Sequence, residues 1–129
     1  MVAYSDTILT RHALKLLRDA RKRGKRKKVP MSLTPADLVA MYHRQQGKCA
    51  LSGVPLLCGS ASVRQYGAMS LDRCVPALGY EVHNVQLLTR AVNNAKSTMC
   101  KDEFVAMCKN VGKWNDEPDT TNERHTMKF

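Results

Sequence analysis

The stretch that decides the fold runs Ala68-Met69-Ser70-Leu71-Asp72-Arg73, then a turn around Pro76–Gly79, then His83-Asn84-Val85-Gln86-Leu87-Leu88, then Thr89 to Ser97. It reads as a strand over 68–73, a second strand over 83–88 and a short helix over 89–97. Asn84 lies 12 residues after Asp72, and Asn93 lies 9 after Asn84. Those separations suit a hairpin that leads straight into a helix. The expected class is α+β, a small hairpin-plus-helix unit with helices on either side.

Upstream, Thr34 suits a helix N-cap and Pro35 the first helical position, while Leu33 and Leu38 can form a hydrophobic staple. Asp37 complements the helix dipole, Leu38, Val39, Met41 and Tyr42 supply the buried face, and Gly47 stops the helix. A Gly/Ser-rich loop covers 57–67. Downstream, a last helix is expected over 101–111 with Phe104, Cys108 and Val111 on one face, followed by a polar tail whose single Trp114 packs back on the domain. Three segments result: 1–30, 31–112 and 113–129.

The chain has 129 residues, one compact domain with short extensions, and a formal net charge of +10. The excess is local. Residues 1–30 hold ten basic and two acidic side chains (+8), whereas residues 31–129 hold eleven and nine (+2). From Ser5 the chain reads as an amphipathic helix with Leu9, Ala13, Leu16 and Ala20 on its apolar face. Arg11, Lys15, Arg18 and Lys22 repeat that spacing displaced by two residues, roughly 200° around the helix. The run Arg21-Lys22-Arg23-Gly24-Lys25-Arg26-Lys27-Lys28 is expected to be extended without an anion, because its like charges repel. Such an arm implies a polyanionic partner.

Several classes drop out. No run of 18 apolar residues offers a membrane span, and Trp and Phe anchors for a membrane surface are missing from the basic helix. The start of the chain lacks a secretory signal. Five cysteines, none in a C-x-x-C pair, indicate neither a disulfide framework nor a zinc ribbon. Aromatic residues at 5% argue against a base-stacking platform. The expected setting is intracellular and cytoplasmic.

Ser70-Leu71-Asp72-Arg73, Gly79-Tyr80, Asn84-Val85-Gln86-Leu87-Leu88 and Asn93-Asn94-Ala95-Lys96 occur in that order, after the lead-in Gly47-Lys48-Cys49-Ala50-Leu51-Ser52-Gly53-Val54-Pro55-Leu56. Over about residues 36–111 the chain resembles the HNH (ββα-metal) endonucleases, particularly phage-type and homing-type members. The resemblance implies that Asp72 and Asn93 hold a divalent ion and that Asn84 braces the loop; Arg73, beside Asp72, is expected on its own chemistry to meet the scissile phosphate. Chemistry supports the pairing: a carboxylate and an amide oxygen are hard donors suited to Mg²⁺ or Mn²⁺. Taken singly, an Asp at a strand end is commonly a turn residue, and Asn93 or Asn94 could simply end a helix. Their joint spacing favours a site.

Phosphate contacts are expected from Arg11, Lys15, Arg18, Lys22, Arg23, Lys25, Arg26, Lys27 and Lys28, and from Lys96 beside the site. Ser70 either packs in the strand or joins the site. Two departures from the family matter. Where zinc-containing members carry two Cys-x-x-Cys pairs, this chain has Cys49-x-x-Ser52 and Thr89-x-x-Val92, so no structural zinc is expected and Leu51, Leu56 and Val92 should fill the gap. Arg73 also stands where the family has its general-base His, and arginine stays protonated at any working pH. His83, next to Asn84, is a weaker candidate base; His12, His43 and His125 lie outside the unit. Two functions follow as expectations: a DNA endonuclease acting as monomer or homodimer, or a catalytically silent protein on the same scaffold that binds DNA or RNA.

Overall fold

The structure is a computed structural model that describes residues 3–62 and 64–117. Four helices are present: α1 (Asp6–Lys27), α2 (Pro35–Arg44), α3 (Arg90–Lys96) and α4 (Lys101–Asp116). Two strands, β1 (Met69–Arg73) and β2 (Val85–Thr89), pair antiparallel, with Met69 opposite Thr89 and Arg73 opposite Val85. Short 3-10 turns cover Ser60–Ser62 and Val82–Asn84. The chain divides into two compact units, one ending at Thr98 and one beginning at Met99. Among the described residues no helix is long and apolar enough to cross a membrane.

In the first unit the start signals act as read. Ser5 caps α1 by accepting from Ile8 N–H (3.3 Å), and Thr34 caps α2 by accepting from Asp37 N–H (3.3 Å). The Asp37 carboxylate accepts in return from Thr34 N–H (2.9 Å), closing a capping box in addition to meeting the dipole. Gly47 takes a φ of +70°, and a Cβ there would press on the Tyr42 hydroxyl at 2.9 Å, so only glycine turns the chain here. Leu33, Leu38, Met41 and Tyr42 join Leu71, Leu87 and Leu88 in one core.

Helix α1 belongs to that core. Leu9, Ala13, Leu17 and Ala20 are fully buried, and Leu17 holds the place expected for Leu16, which is only partly covered. The basic run is also not extended, since α1 continues through Lys27 and closes with Lys28 in the left-handed region (φ 56°). Two effects outweigh the repulsion. Cations at a helix C-terminus meet a favourable dipole, and the end of α1 packs at buried Gly24 against Val29 and Tyr80 at ordinary contact distance. Arg23 Nε then donates to the Tyr80 hydroxyl (3.1 Å). The N-terminal segment is therefore an integral helix and not a detachable arm.

The second strand starts later than expected, at Val85, because Asn84 is held in the 3-10 turn by bonds to the preceding loop. Thr89 caps α3 by accepting from Val92 N–H (3.3 Å). Leu56 is in the core, with Leu51 and Val92 packed against it.

In the second unit α4 runs to Asp116, five residues past the expected end, and Trp114 is helical and 58% exposed where a packed-back tail residue was expected. Phe104 is buried, but Cys108 and Val111 are exposed, because among the described residues of its unit no second helix or strand accompanies α4 to cover a whole face. The end of the 113–129 segment, with His125, lies outside the described residues.

Candidate functional site

An open groove of about 320 Å³ lies beside the hairpin, lined by Arg23 and Lys27 of α1, Ser70 to Arg73 of β1, Pro76 and Tyr80 of the connecting loop, and Asn93, Asn94, Ser97 and Thr98 at α3. Strand geometry explains the β1 contribution. Ser70 and Asp72 stand two apart and share one face, and the register puts Gln86 directly across from Asp72. On α3, Asn93 and Lys96 stand three apart and share the face turned to β1.

Asp72 is 5% exposed, and Lys96 is fully buried against it. The ammonium lies 3.4 Å from Oδ1 and 3.2 Å from Oδ2, and Gln86 Nε2 donates to Oδ2 (3.0 Å). Lys96 was expected at a phosphate; its burial removes it from that role. A buried carboxylate needs a paired cation and filled lone pairs, and Lys96 is the cation within reach.

Asn93 Nδ2 donates to Ser70 Oγ (2.6 Å) and to the Leu71 carbonyl (3.2 Å). A carbonyl can only accept, so the amide orientation is determined and Oδ1 is the atom left for other partners. Ser70 thus positions Asn93 as well as packing in the strand. Asn84 is directed elsewhere: its Oδ1 accepts from Val75 N–H (3.0 Å), while Nδ2 donates to the carbonyls of Val75 (3.2 Å) and Gly79 (2.8 Å). It braces the loop over 75–79 and does not line the groove.

Arg73 is half-buried. Its Nη1 donates to the Pro76 carbonyl (2.6 Å), and its guanidinium stacks 5.0 Å from the centre of the Tyr80 ring. Arg23 lies against the same ring at 5.9 Å. A single buried tyrosine therefore sets two cations at the groove, a role that sequence reading missed because Arg23, Arg73 and Tyr80 come from three separate segments. Lys27 adds a third charge to the wall.

Among the described residues no histidine lines the groove. His83 is 78% exposed and pairs with Glu81 (3.2 Å), and His43 pairs with Asp6 (3.0 Å). His12 is buried with both ring nitrogens engaged: Nε2 meets the Met69 carbonyl (3.0 Å) and Nδ1 accepts from Gly59 N–H (3.1 Å). That pattern requires the neutral ring. Burial lowers its pKa, the Met69 bond opposes this, and nearby Lys15 adds to the lowering.

The residues fit a hard divalent ion only in a particular way. Asp72 Oδ1 and Asn93 Oδ1 are the oxygens with capacity to spare, and Lys96 offsets the one carboxylate charge. Among the described residues no group of three or more His, Cys, Asp or Glu gathers to hold a metal unaided. Mg²⁺ commonly takes one or two carboxylates, several waters and the oxygens of a substrate phosphate, so two protein oxygens suit an ion whose remaining positions are filled by water or a phosphate.

At the zinc-ligand positions of the resemblance, Cys49, Ser52 and Thr89 do come together. Burial pushes the Cys49 thiol pKa up, but the Ser52 hydroxyl and the backbone of Thr89, Leu51 and Ser52 hydrogen-bond to it and leave it below the ordinary value. The chain matches none of the protein-family models and none of the curated proteins with which it was compared.

Proposed function

We propose that the protein is an HNH-type, metal-dependent endonuclease that cuts or nicks DNA. The observation that carries this reading is that Asp72, Asn93 and Arg73 line one open, cationic groove where an antiparallel hairpin passes into a helix. Mg²⁺ or Mn²⁺ bound by Asp72 and Asn93 would supply charge stabilisation at the phosphate and at the leaving oxygen. The chain's own residues do the rest. Lys96 and Gln86 hold the Asp72 carboxylate in a single orientation, and Ser70 with the Leu71 carbonyl holds the Asn93 amide.

Arg73, Arg23 and Lys27 attract the phosphate and stabilise the charge that grows on it as water adds and the ester P–O bond breaks. Arg73 donates and cannot accept, so the proton of the attacking water passes to solvent. The partner is DNA, the setting cytoplasmic, and a monomer with one such groove nicks whereas a homodimer could cut both strands.

A second reading, a silent scaffold that binds DNA or RNA, is favoured by one observation: the family's base position is an arginine tied to Pro76, and among the described residues no histidine lines the groove. One experiment separates the two. Supercoiled plasmid carrying the DNA that neighbours the gene is incubated with Mg²⁺ or Mn²⁺, with chelator and with Asn93→Ala and Asp72→Asn as controls. Metal-dependent nicking that both substitutions abolish is expected. DNA binding without nicking selects the silent scaffold. Without a protein base, the nicking rate should climb with pH through neutrality; Arg73→His should raise the rate and add a plateau above about pH 6.5, near the imidazole pKa.

A further inference from the structure

The groove does not end at Asp72. A second depression, bounded by His12, Lys15, Asp19, Arg23 and Arg90, shares Arg23, Ser70, Leu71 and Asn94 with it. A third, bounded by Arg11, His12, Lys15, Gly59 and Arg64, shares His12 and Lys15 with the second. Together they form one trough along the side of α1 that faces the hairpin.

The helix presents a single ridge to this trough. Arg11, Lys15, Asp19, Arg23 and Lys27 follow one another at intervals of four, and the one acid, Asp19, is neutralised by Lys15 at 3.2 Å. Across from the ridge stand Arg64, Arg90 and Arg73. Arg90 is anchored: Nη1 donates to the Arg64 carbonyl (2.6 Å), and the guanidinium lies 5.8 Å from the Tyr66 ring centre. That contact ties the loop bearing Arg64 to α3.

Five other cations turn away: Arg18, Arg21, Lys22 and Lys25 of α1, with Lys28 at its cap, surround a separate depression with Val29 and Met31. From Arg11 to Lys27 the helix rises about 24 Å, which matches roughly seven nucleotides along one strand of a duplex.

We infer that this trough is the track of the DNA strand that reaches Asp72, and that Arg64 and Arg90 contact its phosphates together with Arg11, Lys15, Arg23 and Lys27. The inference rests on the nucleic-acid reading above. It divides the basic residues that the helical pattern alone joins: Arg11 and Lys15 serve the trough, whereas Arg18 and Lys22 lie outside it.

The test compares two variants with equal loss of charge at exposed positions: Arg11→Gln/Lys15→Gln/Lys27→Gln in the trough, and Arg18→Gln/Lys22→Gln/Lys25→Gln outside it. Binding to a fluorescent 30-base-pair DNA duplex is measured by anisotropy from about 50 to 200 mM salt. If three phosphate contacts vanish, the slope of log K against log salt becomes shallower by about 2.7 in the trough variant. Its affinity at the lowest salt should fall at least about tenfold, with a clearly smaller loss in the outer variant. Equal losses, or a larger loss outside, overturn the trough and leave the nucleic-acid reading standing. Absence of duplex binding by the unmodified chain overturns both. A folded circular dichroism spectrum in each variant excludes misfolding as the cause.

Discussion

Two buried polar centres, one in the connecting loop of the hairpin and one on its strands, are built on opposite principles. At Asn84 a neutral amide is satisfied by backbone, through one N–H and two carbonyls of the loop it closes. At Asp72 a charge is satisfied by side chains, through Lys96 from α3 and Gln86 from β2. The first can be recognised from a single Asn before a strand, since its partners are near in sequence. The second depends on three residues that only the folded chain assembles. A backbone-satisfied brace is insensitive to ionisation, whereas a side-chain-satisfied charge fails as soon as one partner is removed.

The largest effect should come from breaking the charged centre. Lys96→Met leaves the Asp72 carboxylate buried and unpaired, and a stability loss of about 3–5 kcal/mol is expected in urea unfolding. Adding Asp72→Leu to that variant should recover most of the loss; failure to recover would mean that Lys96 contributes by packing and not by charge. Next in size is Asn84→Ala, which strands the Val75 N–H and two carbonyls and should cost about 1–3 kcal/mol. This loss should not change with pH.

The smallest effect sharpens the comparison through a third centre, His12, which is neutral like Asn84 but can titrate. Its folded pKa is lowered from 6.5, chiefly by burial. The unfolded chain therefore binds the proton more readily, so stability is full above about pH 6.5 and falls as pH drops through the folded pKa, by at most about 1.4 kcal/mol per unit. His12→Gln should flatten that part of the pH–stability curve, and an unchanged slope would remove His12 from the account.

What could be read from the chain alone follows the same division. The hairpin, the Thr34 cap, the Gly47 stop and the apolar stripe of α1 depend on neighbours within a few residues, and each was legible, with Leu17 in place of Leu16 as the shift along that stripe. The helix through Arg21–Lys27 was not, because repulsion is local while the Tyr80 contact that offsets it comes from 57 residues away. Lys96 was misread for the same reason: a lysine at the end of a short helix resembles a surface residue until Asp72, 24 positions earlier, is found beneath it. Arg64 and Arg90 carried no signal in pattern or spacing, since they become neighbours of α1 only across the trough.

Gly79 has a consequence of its own. Its Cα sits against the Pro30 carbonyl so closely that a Cβ would overlap it. The adjoining Tyr80 exchanges backbone hydrogen bonds with that segment, donating to Pro30 (2.8 Å) and accepting from Ser32 (3.1 Å). The chain leaving α1 and the loop above Asp72 are thereby geared together. Whatever shifts one wall of the groove must carry the other with it, so the spacing between the α1 cations and the Asp72 carboxylate is set during folding and does not wait for a ligand.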